Sequence, residues 1–147
     1  MEVRMKVKDC MTKHVVSVGA EEPVSAAARL MSRYNLGALP VQAADGRLCG
    51  MVTDRDVVLR CIAAGHSADK MRVRSVMSSN VVCVEAGDDA ARAARLMSRA
   101  QLRRLPVTQN GKLSGIVCLA DLARSGSYGV EAAQCLGAIC SPLVRLD

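Results

Sequence analysis

Aromatic side chains are almost missing from this chain, which holds no Trp, no Phe and only two tyrosines, Tyr34 and Tyr128. A core must therefore be built from Val, Leu, Ile, Met and Ala. The stacking platforms that usually hold single-stranded nucleic acid are also lacking. No helix-turn-helix or zinc-finger spacing is visible, which argues further against a nucleic-acid partner. No apolar run approaches the roughly 18 residues of a membrane span, so no membrane partner is expected. The opening "MEVRMKVKDC" has no continuous apolar centre of the kind a secretory signal needs. The expected location is the cytoplasm. Only two histidines, His14 and His66, could serve as imidazole bases. Neither sits in a recognisable nucleophile motif, so no catalytic residue is assigned and no enzymatic activity is expected.

What the chain does hold is apolar aliphatic residues and cysteine. Half of its 147 residues are apolar, enough for one compact domain or two small fused ones. Its seven cysteines are odd in number and form no CxxC, and Cys49, Cys61, Cys83 and Cys118 lie in or beside apolar segments. They read as small buried hydrophobes kept reduced. A rival reading makes the protein a redox or metal sensor through Cys10, His14, Cys61 or His66. Those residues lack tight ligand spacing, so no metal set is assigned. The formal charge of +6, from 20 basic and 14 acidic residues, suits an anionic small molecule.

The chain repeats itself. Shifted by 66 residues, Met11 falls on Met77, Val15 on Val81 and Val18 on Val84. "AARLMSRYNLGALPV" (27–41) falls on "AARLMSRAQLRRLPV" (93–107), and, after a loop one residue shorter, "GRLCGMVTDRDV" (46–57) meets "GKLSGIVCLADL" (111–122). Such a repeat dictates architecture. Within each copy, "HVVSV" (14–18) and "NVVCV" (80–84) predict strands. "EPVSAAARLMSRY" (22–34) predicts an amphipathic helix with proline in its first turn. Two strands around an "ADG" turn follow, then a helix over "DRDVVLRCIAA" that stops near Gly65. The predicted fold is α/β (α+β), with two β-α-β-β-α repeats packed with pseudo-twofold symmetry. The boundaries are 7–65 for the first repeat, 66–76 for a linker, 77–124 for the second and 125–147 for a tail. In that tail Val130, Ala133, Leu136 and Ile139 predict a short helix.

One device is written twice and edited once. "TDRD" (53–56) at a strand-to-helix junction has the spacing of a capping box, in which Thr53 and Asp56 satisfy each other's backbone N–H groups. The second copy, "CLAD" (118–121), keeps Asp121 but puts Cys118 where threonine stood. Cysteine is a poor cap, so Asp121 is expected to have lost its reciprocal partner. Two carboxylates at equivalent places suit the paired hydroxyls of a ribose, and helix N-terminal amides or arginines suit phosphates.

With "GALPV" and "GMVTDRD" answered by "RRLPV" and "GIVCLAD", the chain resembles a tandem pair of CBS (cystathionine-β-synthase) domains, a Bateman module. It is most similar to small stand-alone bacterial proteins of this kind. The resemblance implies a regulatory module that senses AMP, ADP, ATP or S-adenosylmethionine in clefts between the repeats, with no cofactor required. It implies that Asp56 holds ribose hydroxyls with Thr53 nearby. Ala38, Leu39, Pro40, Val15 and Val16 would line the adenine pocket. The second cleft would use Asp121, Leu105 and Pro106, with Arg103 and Arg104 for phosphate. A homodimer is expected through Ala- and Met-rich helices such as 90–100. A further rival is a structural dimerisation module whose clefts are empty.

Overall fold

The computed structural model describes residues 4–124; the tail with its Val130–Ile139 stripe lies outside them. The described chain divides into two units. The first comprises residues 16–81 with 111–113, and the second residues 4–15, 82–110 and 114–124. The opening segment of each repeat is thus built into the unit that carries the other repeat's sheet.

Backbone hydrogen bonds explain this exchange. In the second unit the segment around α1 (Val7–Cys10) binds the turn after β4 (Val84–Glu85). The Val7 amide donates to the Asp88 carbonyl, Lys8 to Ala86, and Ala90 donates back to Met5. The first unit repeats the pattern 66 residues on or back. Val73 donates to Glu22, Arg74 to Ala20, and Val24 to Met71. These bonds satisfy orphan amides at the starts of the long helices. They matter most for the helix that follows Pro23, which has no side-chain cap. Residues 66–76, expected as a linker, are therefore part of the first unit's body, and Val73 is fully buried there.

Each unit carries a three-stranded sheet. In the first, β1 (Val18–Gly19) runs parallel to β2 (Ala38–Gln42), which pairs antiparallel with β3 (Leu48–Thr53). In the second, β4 runs parallel to β5 (Arg104–Gln109), followed at the edge by β6 (Lys112–Cys118). The strands expected over 14–18 and 80–84 shrink to the two residues at their ends. Upstream, Thr12 bridges to Ile116 and Ser78 to Met51. The intervening residues carry the chain from one unit's sheet to the other's and form no ladder.

The helices α2 (Val24–Tyr34) and α4 (Ala90–Ala100) cover one face of their sheets. Val24, Ala27 and Met31 meet Leu39, Val41 and Val52 in the first core. Ala90, Ala93, Ala94 and Met97 meet Leu105, Val107 and Val117 in the second. The small alanines let helix and sheet approach closely in a core without aromatics. Both helices end on a left-handed residue, Asn35 (φ 53°) and Gln101 (φ 56°), whose amides return to Met31 and Met97. The helix expected from residue 54 begins as α3 (Asp54–Asp56) and continues over Val57–Ile62 with wider π-type winding, the Ala63 amide reaching Val58. In the second unit the equivalent helix is α5 (Leu119–Arg124).

The glycine that opens each doubled motif has a packing cause. A Cβ on Gly50 would lie 2.5 Å from the Met77 sulfur and 2.9 Å from the Ser78 carbonyl oxygen. A Cβ on Gly115 would lie 2.6 Å from the Met11 sulfur and 2.8 Å from the Thr12 carbonyl oxygen. The exchanged segment and the edge strand can touch only where the side chain is a hydrogen.

Candidate functional site

In both units the edge strand ends where a short helix begins, and an acid sits at that junction. In the first unit Ala38 is the registered partner of Thr53, so the start of β2 lies beside the end of β3. The Asp54 amide donates to the Gly37 carbonyl at 2.9 Å, which fixes the turn. The Thr53 hydroxyl accepts from the Asp56 amide at 3.0 Å, and the Asp56 carboxylate accepts from the Thr53 amide at 2.9 Å. This is the reciprocal capping box that the spacing predicts. The other carboxylate oxygen of Asp56 faces Arg60 at 3.7 Å. Arg60 in turn donates to the carbonyls of Val76, at 3.1 Å, and Met77, at 3.4 Å.

The second unit keeps the frame and reverses one bond. The Leu119 amide donates to the Arg103 carbonyl, matching Asp54 on Gly37. The Cys118 amide donates to the Asp121 carboxylate at 3.0 Å, so half of the reciprocal cap survives. The Cys118 thiol donates to the same carboxylate oxygen at 2.9 Å, while the Asp121 amide faces its sulfur. The expectation that Asp121 had lost its partner is corrected: it gains a thiol donor, and its own amide faces a weakly accepting sulfur in place of a hydroxyl. Its second oxygen accepts from Arg124. Burial, then the hydrogen bond to Asp121, push the Cys118 thiol above its ordinary value of 9.0, while the Arg104 charge opposes them. Arg104 therefore lies within electrostatic reach of the Cys118–Asp121 pair.

The other residues that the resemblance assigns divide by burial and by unit. Leu39 and Leu105 are fully buried in the two cores, so they offer backbone rather than side chain. Strand alternation turns Ala38 and Pro40 to the sheet face opposite Leu39, together with their partners Thr53 and Met51. Arg104 and Pro106 flank Leu105 in the same way on β5. Val16 belongs to the first unit with Thr53 and Asp56, whereas Val15 belongs to the second with Asp121, Arg103, Arg104 and Pro106. Arg103 is exposed, and its carbonyl serves the turn.

Sequence reasoning missed Arg60 and Arg124, which hold the two acids. Their signal was present as an arginine four residues after Asp56 and three after Asp121, a spacing that puts side chains on one helix face. The proposed sensor residues do not assemble. Cys10 and His14 lie in one unit, Cys61 and His66 in the other. The buried Cys61 thiol faces the His66 carbonyl at 3.6 Å, not its imidazole. Among the described residues no group of three or more His, Cys, Asp and Glu is placed to hold a metal ion. No helix among them is long and apolar enough to cross a membrane.

Comparison with known proteins agrees with this geometry. The sequence model described as the CBS domain matches residues 7–62 and 73–128, each match starting with an exchanged segment. Hypoxic response protein 1 of Mycobacterium tuberculosis is 36% identical over 137 residues, covering 92% of this chain and 94% of that one. Its crystal structure, described with two coordinated zinc ions, superposes with a TM-score of 0.74 over 82% of this chain and 98% of that one. The CBS domain-containing protein YhcV of Bacillus subtilis is 42% identical over 117 residues, 80% of this chain and 82% of that one. The CBS domain protein TA0289 of Thermoplasma acidophilum, 26% identical, gives a TM-score of 0.73 over 92% of this chain and 76% of that one.

Proposed function

The chain belongs to the CBS domain family, and from that premise we propose that it senses an adenosine-containing nucleotide at the strand–helix junctions of its two units. A CBS pair is a regulatory ligand-binding module; the ligand class is the finer step. The observation that carries it is the doubled carboxylate. Asp56 and Asp121 are each held by a backbone amide and by an arginine from their own helix. Each oxygen so engaged keeps acceptor capacity, since a carboxylate offers about four lone-pair sites. Adjacent ribose hydroxyls match that capacity. Arg104 beside Asp121 suits a phosphate, and Ala38 at the equivalent place in the first unit does not.

The first unit is expected to favour adenosine or AMP, because Thr53 adds a hydroxyl and a completed cap. ATP narrows the gap, because Arg103 and Arg104 lie in the second unit. A thermal-shift panel of AMP, ADP, ATP, S-adenosylmethionine, NAD and GTP tests the class, since a ligand that binds the folded state raises the melting temperature. Calorimetry on Asp56→Ala and Asp121→Ala tests the ranking. Losing a hydrogen bond to a charged group, about 1.5–3 kcal/mol, weakens binding roughly tenfold or more. AMP binding that survives Asp56→Ala and vanishes in Asp121→Ala overturns the ranking.

One observation favours a second reading, in which the acids act only as caps. The Asp121 side chain is 9% exposed and already accepts three donors. No shift with any member of the panel supports that reading.

The module is further proposed to act as a homodimer. The helix 90–100, expected at the interface, buries its apolar residues in its own core. Among the described residues the exposed large apolar side chains are Tyr34, Val82, Leu102 and, close together on one helix, Val58, Leu59 and Ile62, 53%, 49% and 57% accessible. A second copy covers such a patch without leaving polar groups unpaired. Light scattering at tens of micromolar checks the dimer, and Ile62→Lys is expected to dissociate it.

A further inference from the structure

The edited device has a companion edit. Shifted by the repeat, Cys10 stands where the other copy has Val76, and Cys118 stands where it has Thr53. In the first unit those two positions converge on one acid, because Arg60 joins the Val76 carbonyl to the Asp56 carboxylate. In the second unit both converging positions carry thiols. The bridge of Thr12 to Ile116 is antiparallel. Cys10 and Cys118 therefore lie two residues beyond it at the same end. The Cys118 thiol donates to Asp121, and the Cys10 thiol lies within electrostatic reach of both Asp121 and Cys118.

The two thiols differ in access. Cys10 lines a shallow, open depression of about 280 Å³ together with Met5, Asp9, Asp121 and Arg124. Its thiol makes only long contacts, 3.5 Å to the Val7 carbonyl and 3.9 Å to that of Lys6. Cys118 does not line the depression, and its thiol donates to the Asp121 carboxylate. Access makes Cys10 the sulfur that meets an oxidant and Cys118 the one that resolves it, while burial, Asp121 and Asp9 hold the Cys10 proton and make the first step slow at neutral pH.

We propose that Cys10 and Cys118 form a dithiol switch, closed by a peroxide into an intramolecular disulfide that withdraws the Cys118 thiol from Asp121. The Cys10 thiolate attacks one peroxide oxygen, the O–O bond breaks, and sulfenic acid forms with release of water after protonation. Cys118 then passes its proton to Asp121 and attacks the Cys10 sulfur. The S–O bond breaks and hydroxide leaves as water with that proton. Two thiols are oxidised, one peroxide is reduced to two waters, and the disulfide remains. Asp121 is left with a freed acceptor site in that depression. The proposal is independent of which ligand the acids bind.

The test uses the full chain, reduced and then exposed to hydrogen peroxide. Remaining thiols are alkylated with N-ethylmaleimide in denaturant, and peptides are mapped by mass spectrometry. The expected result is loss of two of the seven alkylatable thiols and a cross-linked peptide joining Cys10 to Cys118, reversed by dithiothreitol. Cys118→Thr, which installs the residue of the other repeat, is expected to leave Cys10 as a sulfenic acid trapped by dimedone. Cys10→Ser is expected to leave Cys118 fully alkylatable. Circular dichroism of both variants shows that they fold. Both thiols remaining alkylatable in the treated wild type would overturn the switch, and so would a cross-link from Cys10 or Cys118 to any other cysteine.

Discussion

The two units share a frame down to single hydrogen bonds, yet they differ at the acid. In the first, threonine and aspartate cap each other, and the neighbouring position is a buried valine. In the second, the aspartate accepts from the Cys118 amide and thiol, and a second thiol, Cys10, lies within electrostatic reach. Repeats diverge most freely where the backbone bond is kept, because the amide of residue 53 or 118 finds its carboxylate either way. What changes is the chemistry offered around that carboxylate: a hydroxyl acceptor on one side, oxidisable donors on the other.

The largest effect tests whether the frames are equivalent. Leu39→Ala and Leu105→Ala remove fully buried side chains at matching positions. Each is expected to cost about 2–5 kcal/mol, the range for cavity-forming Leu→Ala changes. Equal losses by urea denaturation support equivalent units, and a much smaller loss at Leu105 breaks the comparison.

Next in size are the two glycines under the exchanged segments. Gly50→Ala and Gly115→Ala press a methyl into Met77 and Ser78 or into Met11 and Thr12. Overpacking of this kind costs typically ~1–3 kcal/mol. Both variants are expected to melt below wild type, and an unchanged melting temperature for either shows that its segment can move aside.

A swap at the edited position is subtler. Thr53→Cys is expected to lose about 1 kcal/mol, and Cys118→Thr to gain up to that amount by giving the Asp121 amide a stronger acceptor than sulfur. If Cys118→Thr is instead destabilising, the thiol–carboxylate bond outweighs a completed cap.

The smallest effect is one of pH. Burial first, and then for Cys10 the nearby Asp121 and Asp9, raise both thiols above 9.0, with Arg104 opposing at Cys118 and Arg124 paired to Asp121. Above 9.0 the unfolded chain releases these protons while the folded one retains them. Stability is thus intact below about pH 9 and declines as pH rises toward the raised folded values. Alkylation of Cys10 in the native protein is expected to be slower than that of a free thiol at neutral pH and to climb above pH 9. Fast alkylation at neutral pH contradicts this.

Much of the frame was legible in the residues. The 66-residue shift, the helix period of 22–34 and the "TDRD" spacing each report a local rule, and local rules survive folding unchanged. The strands at 14–18 and 80–84 were misjudged because β-branched composition states a preference, while a ladder needs a partner. Residues 13–17 have none in either sheet. The burial of the Leu39 and Leu105 side chains was not legible, because sequence adjacency does not say which face of a strand a side chain takes.

From the sequence alone came the doubling, the elements of each copy and the two acids, all properties of short windows and their spacing. Only the tertiary structure decided that residues 7–15 pack with the second repeat and 66–76 with the first, because the bonds that hold them run to the starts of α2 and α4 and the turns before them, across about 50 to 85 positions of chain. It alone decided that Gly50 and Gly115 must lack a side chain, and that Cys10 and Cys118 stand beside one carboxylate. Those facts depend on which surfaces meet, and no window of the sequence contains both surfaces.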